Sequence, residues 1–360
     1  MRGYRLFDDL TLPRLGRVNL ITGKNNTGKS TLLEAIRLYA YRGSPHVLLE
    51  ILEGRDELQR RSFLSTRDLA GAASAVERVF TSKGTDDLRF SIEPATGAPS
   101  LSVTLDPFGS IDQTSTPEQL PLDGLDSVDV PDIRPLLRIQ WADRRPLTYV
   151  LDPNYRPRRM GQSAEFFAGI LADMPVCTFV SATGLAADDL LQLWNAVDLT
   201  ALEETVVEAL RLISPDVERV SVTTSESGRR PLVRAKLAES AEPVSLRSLG
   251  DGLNRIFGIA LALVNSRDGF LLVDEVENGI HYSVQPDMWK LLFEVAARLN
   301  VQVFATTHSY DCVLAFQEAA RSHPEEGVLV RLERKQDRFR VTTFAEDELE
   351  VVAREEIEVR

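Results

Sequence analysis

The sequence predicts an α/β fold with a mixed central sheet, an antiparallel β subdomain and a small helical subdomain. Three apolar segments support this prediction, at residues 18–22, 269–273 and 301–305. Each has the length and the mainly hydrophobic character of a strand that is buried on both faces. The first is followed at once by a glycine-rich turn and a helical pattern that starts at Lys29. A strand, a tight turn and a helix in succession are typical of the parallel part of an α/β sheet.

The turn after the first strand matches the phosphate-binding P-loop at every required position. Its residues are Gly23, Lys24, Asn25, Asn26, Thr27, Gly28, Lys29, Ser30 and Thr31. The glycines allow backbone N–H groups to turn towards phosphate oxygens, and the following helix adds the positive end of its dipole. Lys29 is expected to reach the β- and γ-phosphates, and the Ser30 hydroxyl to hold Mg²⁺. The motif therefore predicts a site for a nucleoside triphosphate.

Two carboxylates end the second strand, since Asp274 and Glu275 follow its apolar run. We expect Asp274 to lie beside the P-loop and anchor the hydration shell of Mg²⁺, and Glu275 to polarise an attacking water. The third strand leads into His308, at the edge where open parallel sheets bind ligands. This position favours a hydrogen bond from His308 to the γ-phosphate or to the water, although a lone histidine is more often structural.

A glycine-containing segment at residues 245–255 leads into a helix that is predicted over residues 256–264. Ser248 is predicted as the N-cap, because its hydroxyl can accept from the free backbone N–H groups of the first turn. Gly250 and Gly252 permit the close approach of an anion to the backbone at a helix N-terminus. Taken alone, the segment is typical of an ordinary capped helix.

The remaining pattern predicts one module over residues 1–360 with distinct parts. Residues 46–175 are predicted as an antiparallel β and loop insertion, and residues 185–265 as the helical subdomain that contains the glycine segment. Residues 266–360 hold the acidic strand, the histidine, a closing hairpin and a short acidic helix from Glu346. A strand or hairpin is predicted at 3–12, a hairpin at 217–235 with its turn at Ser227–Gly228, and a long exposed or partly disordered loop at 106–132. Further strands are predicted at 88–92, 101–105, 136–141, 147–150, 176–180, 328–332 and 339–342, and a helix at 29–41.

The composition is that of an ordinary globular protein, with 43% hydrophobic and 26% charged residues. No segment approaches the roughly 20 consecutive apolar residues of a membrane span. Cys177 and Cys312 are far apart and lack metal-ligand spacing, so we expect reduced thiols and a cytoplasmic location.

The formal net charge of −13 lowers the expectation of nonspecific nucleic-acid binding. Residues 134–159 differ, because arginines alternate there with aromatic side chains. Two interpretations stay open: a solvated surface loop, or a docking patch for nucleic acid or an acidic partner. The arginines are Arg134, Arg138, Arg144, Arg145, Arg156, Arg158 and Arg159.

The order of these motifs resembles that of ABC-type ATPases of the SMC and RecF kind. The most specific resemblance is to the ATPase module of the overcoming-lysogenisation-defect (OLD) proteins and their relatives in bacterial anti-phage systems. It rests on GKNNTGKSTLLEAI (23–36), SLRSLGDGLNRI (245–256), LLVDEVENGIHYS (271–283) and FATTHS (304–309). Residues 45–240 match only loosely.

The resemblance implies a P-loop NTPase fold of ABC/SMC-like type that takes ATP and Mg²⁺. Asp274 and Glu275 would form the Walker B motif, residues 278–283 a dimer-contact loop, and His308 the switch histidine. Ser30 and Asp274 would hold the metal, and Lys29, Glu275 and His308 would act in catalysis. The implied nucleotide contacts are Gly23, Asn25, Asn26, Thr27, Gly28, Lys29, Ser30, Thr31, Ser248, Gly250 and Asp251.

Ser248, Gly250 and Asp251 fall where these ATPases carry a Ser-x-Gly-Gln/Glu signature, so residues 245–255 would be the signature segment. In such proteins the signature segment of one chain contacts the γ-phosphate that a second chain holds. The resemblance thus implies a homodimer around two ATP molecules, and an ATP-hydrolysing switch that controls a separately encoded nuclease or toxin in phage defence. Two alternatives stay open: a RecF-like clamp that acts on DNA in repair, and a binding scaffold with negligible turnover. The sequence departs from the pattern at Leu249, which replaces a signature glycine, and we expect no Toprim nuclease domain and can assign no Q-loop glutamine.

Overall fold

The chain forms two compact units, seen in the residues that the computed structural model describes. Those residues are 1–58, 75–81, 88–95, 97–107, 109, 135–151, 157–159, 174–224, 231–323, 325–335 and 338–344. The smaller unit combines Met1–Thr11 with Glu34–Met174, and the larger unit combines Leu12–Leu33 with Pro175–Arg360.

The elements are numbered in chain order. The strands are β1 (Arg2–Tyr4), β2 (Phe7–Asp9), β3 (Val18–Thr22), β4 (Leu88–Ile92), β5 (Leu101–Asp106), β6 (Leu136–Trp141), β7 (Leu147–Leu151), β8 (Pro157–Arg159), β9 (Cys177–Val180), β10 (Val217–Thr224), β11 (Pro231–Leu237), β12 (Val244–Ser245), β13 (Phe270–Val273), β14 (Gln302–Thr306), β15 (Gly327–Lys335) and β16 (Arg338–Phe344). The helices are α1 (Lys29–Ala40), α2 (Pro45–Gly54), α3 (Ala187–Val197), α4 (Ala201–Arg211), α5 (Asp251–Val264), α6 (Gln285–Leu299) and α7 (Tyr310–Ala320), and short 3₁₀ helices span Leu246–Leu249 and Tyr282–Val284.

The larger unit has a sheet of six described strands in the order β16-β15-β3-β14-β13-β9. Strand β16 is antiparallel to β15, and the other neighbours are parallel. All residues of β3 are buried, because an apolar strand in the middle of a parallel sheet is covered on both faces. In this register Leu20 lies between Ala305 of β14 and Leu329 of β15. The carboxyl ends of β3, β14 and β13 therefore meet at one edge of the sheet.

Helix α5 crosses the core of the larger unit, and every residue from Ile256 to Val264 is buried. The ring of Phe257 packs at 5.8 Å from that of Trp194 on α3. Helices α6 and α7 meet through Trp289 and Phe316, with ring centroids 5.0 Å apart in an edge-to-face arrangement. Beside these helices, β10, β11 and β12 pair as a three-stranded antiparallel sheet.

The smaller unit has an antiparallel sheet of seven described strands in the order β2-β1-β4-β5-β6-β7-β8. Its strands alternate buried and accessible residues, as in β5, which is typical of a sheet with one face on a core. Helix α2 contributes Val47, Leu48 and Leu52 to that core. Arg5 lies beside this core, with Glu34 at 3.2 Å and Glu57 at 3.0 Å, so its buried guanidinium is paired.

The prediction of an α/β fold with a mixed sheet is confirmed, together with most of its elements. Strands β3, β4 and β6 have the predicted bounds, and α1 ends one residue before its predicted end. The prediction of Ser248 as an N-cap is wrong: Ser248 lies in the 3₁₀ helix, and Gly250, with φ 115°, occupies the N-cap of α5. Helix α5 also begins at Asp251 rather than at Ile256, because an acidic residue in the first turn favours an earlier start.

Several predictions lie outside the described residues. They concern most of the loop at 106–132, the turn at Ser227–Gly228, the helix from Glu346, and Arg134 and Arg156 of the arginine-rich segment. Of the remaining arginines, Arg138 lies on β6, 3.8 Å from Asp106. None of the helices that the structure describes has the length and apolar character needed to cross a membrane.

Candidate functional site

The P-loop lies between β3 and α1 in a conformation that its glycines make possible. Gly23 has φ 148°, and a Cβ there would lie 2.3 Å from the Leu332 carbonyl oxygen. Asn26 and Gly28 also have positive φ values, 64° and 93°. The Thr27 hydroxyl donates to the Lys24 carbonyl at 2.8 Å and holds the loop closed on itself. Successive turns of this kind direct backbone N–H groups into one concavity, which suits an anion.

Lys29 is the buried cation of the site, with 9% of its surface exposed. Its Nζ donates to the carbonyl oxygens of Gly23 at 2.7 Å and Lys24 at 3.1 Å. Burial lowers the pKa of Lys29, and the nearby carboxylates of Asp274, Glu275 and Glu277 oppose this shift. The ammonium group therefore lacks full solvation, and an anion beside it would be stabilised.

Ser30 and Asp274 meet at the edge of the sheet where a metal is expected. The Ser30 hydroxyl donates to Asp274 Oδ2 at 3.0 Å, and the Thr306 hydroxyl donates to Asp274 Oδ1 at 2.5 Å. A hydroxyl and a carboxylate are hard oxygen ligands, which Mg²⁺ prefers. Among the described residues no cluster of three or more His, Cys, Asp or Glu side chains is arranged to hold a metal ion. Mg²⁺ commonly uses one or two protein ligands beside phosphates and waters, and Ser30 and Asp274 offer two oxygen ligands.

Glu275 follows Asp274 in a left-handed backbone conformation, with φ 49°. Its backbone N–H donates to Thr306 Oγ1 at 2.8 Å, and its carboxylate accepts from Asn278 Nδ2 at 2.7 Å. The side chain remains 39% exposed. Glu275 thus has a fixed backbone and a carboxylate that water can still reach, as a group that polarises water requires.

His308 lies two residues beyond the end of β14, close to two carboxylates. Its Nδ1 lies 3.3 Å from Glu277 Oε1 and 3.8 Å from Glu275 Oε1, and its backbone N–H donates to Glu277 Oε1 at 3.1 Å. Glu277 is buried, with 8% exposed, whereas half of the His308 side chain is exposed. Glu277 therefore anchors the backbone of His308 while leaving the imidazole accessible.

A cleft of about 590 Å³ opens beside these groups. Its lining residues come from the P-loop and from the start of α7: Gly23, Lys24, Asn25, His308, Ser309, Tyr310 and Asp311. The P-loop and His308, which are distant in sequence, thus face the same open space. Its size is in the range of small-molecule sites.

The signature residues do not line this cleft. Ser248, Gly250 and Asp251 are exposed, and the Ser248 hydroxyl donates to the Ser245 carbonyl at 2.6 Å. Among the described hydrogen bonds, none joins these three residues to the P-loop. Asp251 instead borders a cleft of about 880 Å³ with Arg247, Asn254 and Asn278.

The structure adds three residues that the sequence analysis did not identify. Thr306 bridges Asp274 and Glu275, Glu277 contacts His308, and the buried Arg255 donates to carbonyl oxygens at the end of β13. Thr306 lies in the motif FATTHS and Glu277 in the motif LLVDEVENGIHYS. Their closeness in sequence to His308 and Glu275 could have identified them as site residues. Arg255 is the last residue of the signature segment. An arginine in a helix is usually solvated, so its burial became visible only in the structure.

Comparisons with family profiles find two matches. The profile described as "AAA domain, putative AbiEii toxin, Type IV TA system" matches residues 190–313, and a profile described as "AAA domain" matches residues 1–113. Each match covers less than half of the chain, so these two stretches are similar to AAA domains, and the stretch at residues 1–113 contains the P-loop. Closeness to the OLD proteins stays a prediction.

Among curated proteins, the chain is similar to an "ATP/GTP phosphatase" of Helicobacter pylori, 22% identical over 340 residues that cover 89% of this chain and 87% of that protein. It is also similar to an uncharacterized protein of Methanocaldococcus jannaschii, 33% identical over 86 residues, which cover 24% of this chain and 75% of that protein.

Solved structures also resemble the chain, and two Smc heads are examples. One is an Smc head bound to the C-terminal winged-helix domain of ScpA, with 13% identity, coverage of 92% of both chains and a TM-score of 0.48. The other is an Smc head domain with an extended coiled coil, bound to the C-terminal domain of ScpA derived from Pyrococcus furiosus. It has 12% identity, coverage of 98% and 97%, and a TM-score of 0.48.

Proposed function

We propose that the chain is an ATP hydrolase that works as a dimeric switch. The observation that carries this proposal is the convergence of Ser30, Asp274, Thr306 and Glu275 at one edge of the sheet, beside the buried Lys29. Phosphoryl transfer depends mainly on positioning and on electrostatic stabilisation, and these groups provide both. The name of the Helicobacter pylori relative supports hydrolysis of a nucleoside triphosphate.

Each residue has a distinct part in the proposed reaction. The backbone N–H groups of the P-loop bind the phosphates, and Lys29 exchanges its carbonyl acceptors for phosphate oxygens. Ser30 and Asp274 would hold Mg²⁺, which when bound neutralises phosphate charge. Glu275 orients a water and accepts its proton at a carboxylate oxygen, and His308 hydrogen-bonds the γ-phosphate or that water.

Release of phosphate from ATP tests the hydrolase directly. We expect the wild type to turn over, and Glu275→Gln to lose about 100-fold or more in kcat while it still binds ATP. The amide keeps the size of the carboxylate and its oxygen acceptor for Asn278, so folding is preserved. If both proteins release phosphate at the same trace rate, the chain is a binding scaffold and the hydrolase proposal is wrong.

The separation of the two clefts supports the proposed dimer. One chain offers the P-loop to one cleft and the signature segment to another, and a second copy arranged head to tail would bring the two together. Exposure of Ser248 and Asp251 supports such a contact.

Mixing two inactive variants tests this arrangement. Lys29→Ala removes the P-loop cation, and Ser248→Arg blocks the signature segment, so each variant alone is expected to be inactive. In an equal mixture half of the dimers are mixed and keep one intact composite site, so about a quarter of the wild-type activity should return. Failure of the mixture to recover activity, with both variants folded, would show that the site is complete within one chain.

We further propose that the switch controls a separately encoded effector, a nuclease or toxin, in phage defence. The description of the profile that matches residues 190–313 supports this setting, since it refers to a toxin–antitoxin system. Phage plating on a bacterial host that carries the chain with its neighbouring gene tests it. We expect fewer plaques with the wild type than with Lys29→Ala, and equal plaque counts would contradict the defence role.

A further inference from the structure

Arg255 is a buried cation that the proposed chemistry does not use. It lies in the second turn of α5 and is 6% exposed. Its Nη1 donates to the Ser181 carbonyl at 2.5 Å, and its Nη2 donates to the carbonyls of Asp274 at 2.6 Å and Glu275 at 2.9 Å. Burial lowers the pKa of Arg255, while the carboxylates of Glu277, Asp274 and Glu275 oppose this shift. A guanidinium is rarely buried without a carboxylate in direct contact, so these carbonyl contacts call for an explanation.

The three carbonyls belong to two neighbouring strand ends. Ser181 follows β9, and Asp274 follows β13, with which β9 pairs. The planar guanidinium presents donors in a fixed fork, so it can hold carbonyls from both strand ends at once. Arg255 thus joins the ends of β9 and β13 to helix α5.

The turn that Arg255 contacts is conformationally unusual. Glu275 has φ 49°, which is unfavourable for a residue with a Cβ. Its carbonyl accepts from Arg255 and also from the backbone N–H of Asn278 at 3.1 Å. A left-handed residue persists only where its surroundings enforce it, and these hydrogen bonds enforce it here.

Helix α5 also carries the signature segment at its N-terminus. A Cβ at Gly252 would lie 2.6 Å from the Gly279 carbonyl, so the helix packs directly on the loop that follows Glu275. Movement of the signature segment would therefore be transmitted to Arg255, four residues after Asp251, through a rigid helix.

We propose that Arg255 is a positioning residue that holds the backbone of Asp274 and Glu275 and so aims the Glu275 carboxylate, linking the signature helix to the hydrolytic group. This inference rests on the proposed hydrolase function. Arg255 borders the same cleft as Asp251, but its described hydrogen bonds end on main-chain carbonyls, so we expect it to act through the backbone of Asp274 and Glu275.

Separate measurement of binding and turnover tests the proposal. Arg255→Ala is expected to lower kcat about 30-fold, while the Kd of the full-length chain for a slowly hydrolysed ATP analogue changes less than about threefold. Arg255→Lys keeps the charge but loses the fork, so we expect an intermediate kcat.

Chemical rescue separates positioning from a general structural role. Alanine leaves a space of guanidinium shape, and methylguanidinium at about 20 mM should restore several-fold of the lost kcat of Arg255→Ala by rebinding the three carbonyls. Urea at the same concentration is the control for solvent effects and should restore nothing.

Asn265→Ala provides a matched control on the same helix. Its Nδ2 donates to carbonyls of Leu193 at 3.2 Å and Leu261 at 2.8 Å, at the far end of α5 from the site. We expect this variant to lower the melting temperature but to leave kcat within about twofold of the wild type.

Three outcomes would overturn the proposal. They are wild-type kcat in Arg255→Ala, loss of analogue binding in both Arg255 variants, and equal loss of kcat in Asn265→Ala. If Arg255→Ala does not fold, Arg255→Lys tests the proposal instead. Wild-type kcat in Arg255→Lys would show that the guanidinium fork is not needed and would overturn the proposal. Failure of the hydrolase function itself is distinct, since the wild type would then show no turnover above Glu275→Gln.

Discussion

The burial of the Lys29 ammonium group lowers the stability of the folded chain. The pKa of Lys29 is lowered by burial, so the folded state holds the Lys29 proton less tightly than the unfolded state does. The free energy of unfolding therefore rises with pH between the pKa of Lys29 in the folded state and its higher pKa in the unfolded state. At neutral pH the protonated ammonium is unfavourable in the folded chain until an anion arrives.

Lys29→Met should therefore separate stability from binding. We expect the melting temperature without nucleotide to stay the same or to rise, because a buried charge is replaced by an apolar side chain of similar length. ATP should no longer raise the melting temperature. Lys24→Met, at an exposed neighbouring position, is the control and should keep most of the nucleotide effect. Clear destabilisation of Lys29→Met in the absence of nucleotide would contradict this account.

At the scale of an element, the path of the P-loop depends on a glycine at position 23. Gly23 joins β3 to the loop at φ 148°, and the Leu332 carbonyl of β15 leaves no room for a Cβ. The loop can thus approach the neighbouring strand only with glycine here. The hydrogen bonds of Lys29 and Thr27 to carbonyls of Gly23 and Lys24 depend on that path.

Gly23→Ala is expected to lower nucleotide affinity at least tenfold and to destabilise the fold by about 2–4 kcal/mol, since strain and a steric clash combine. Isothermal titration and urea unfolding measure the two effects. Gly97→Ala is the matched control, because Gly97 also has positive φ, 76°, but a Cβ there meets nothing within 4 Å. It should cost about 1 kcal/mol and leave affinity unchanged. Similar behaviour of the two variants would show that the clash with Leu332 is unimportant.

Elements were predictable from the sequence where local pattern and tertiary context agree. Strand β3 is mostly apolar and is followed by a motif with strict positions, so the bounds of the strand followed from the residues. Ser248 shows the opposite case: its type favours an N-cap, but Gly250 can adopt φ 115° and takes that position, which leaves the serine in a 3₁₀ turn. Arg255 and Glu277 were missed because their partners are main-chain groups distant in sequence.

At the scale of the whole molecule, the reactivity of the two buried cysteines measures how often the larger unit opens. Cys177 lies on β9 and Cys312 on α7, and both are buried. Burial raises the pKa of the Cys312 thiol to about 12. The thiolate is the reactive form, so alkylation of Cys312 requires the larger unit to open.

Nucleotide should slow this alkylation. A ligand that binds only the folded chain at 100 times its Kd stabilises it by about 2.7 kcal/mol, which corresponds to about 100-fold slower modification when opening is rapid. Mass spectrometry after maleimide treatment measures the rate at each cysteine. In Lys29→Ala the nucleotide should have no effect. Rapid labelling of Cys312 in the nucleotide-bound wild type would contradict the burial of this thiol.

The strand order also has a consequence for biosynthesis. Strand β3, which carries the P-loop, has β14 and β15 as its neighbours, and both are translated after residue 300. The strand that leads into the nucleotide loop therefore leaves the ribosome long before its partners exist, and non-local pairing of this kind is slow. Its apolar residues must stay unpaired until β14 and β15 have been translated, so the nascent chain becomes able to bind ATP only after that point.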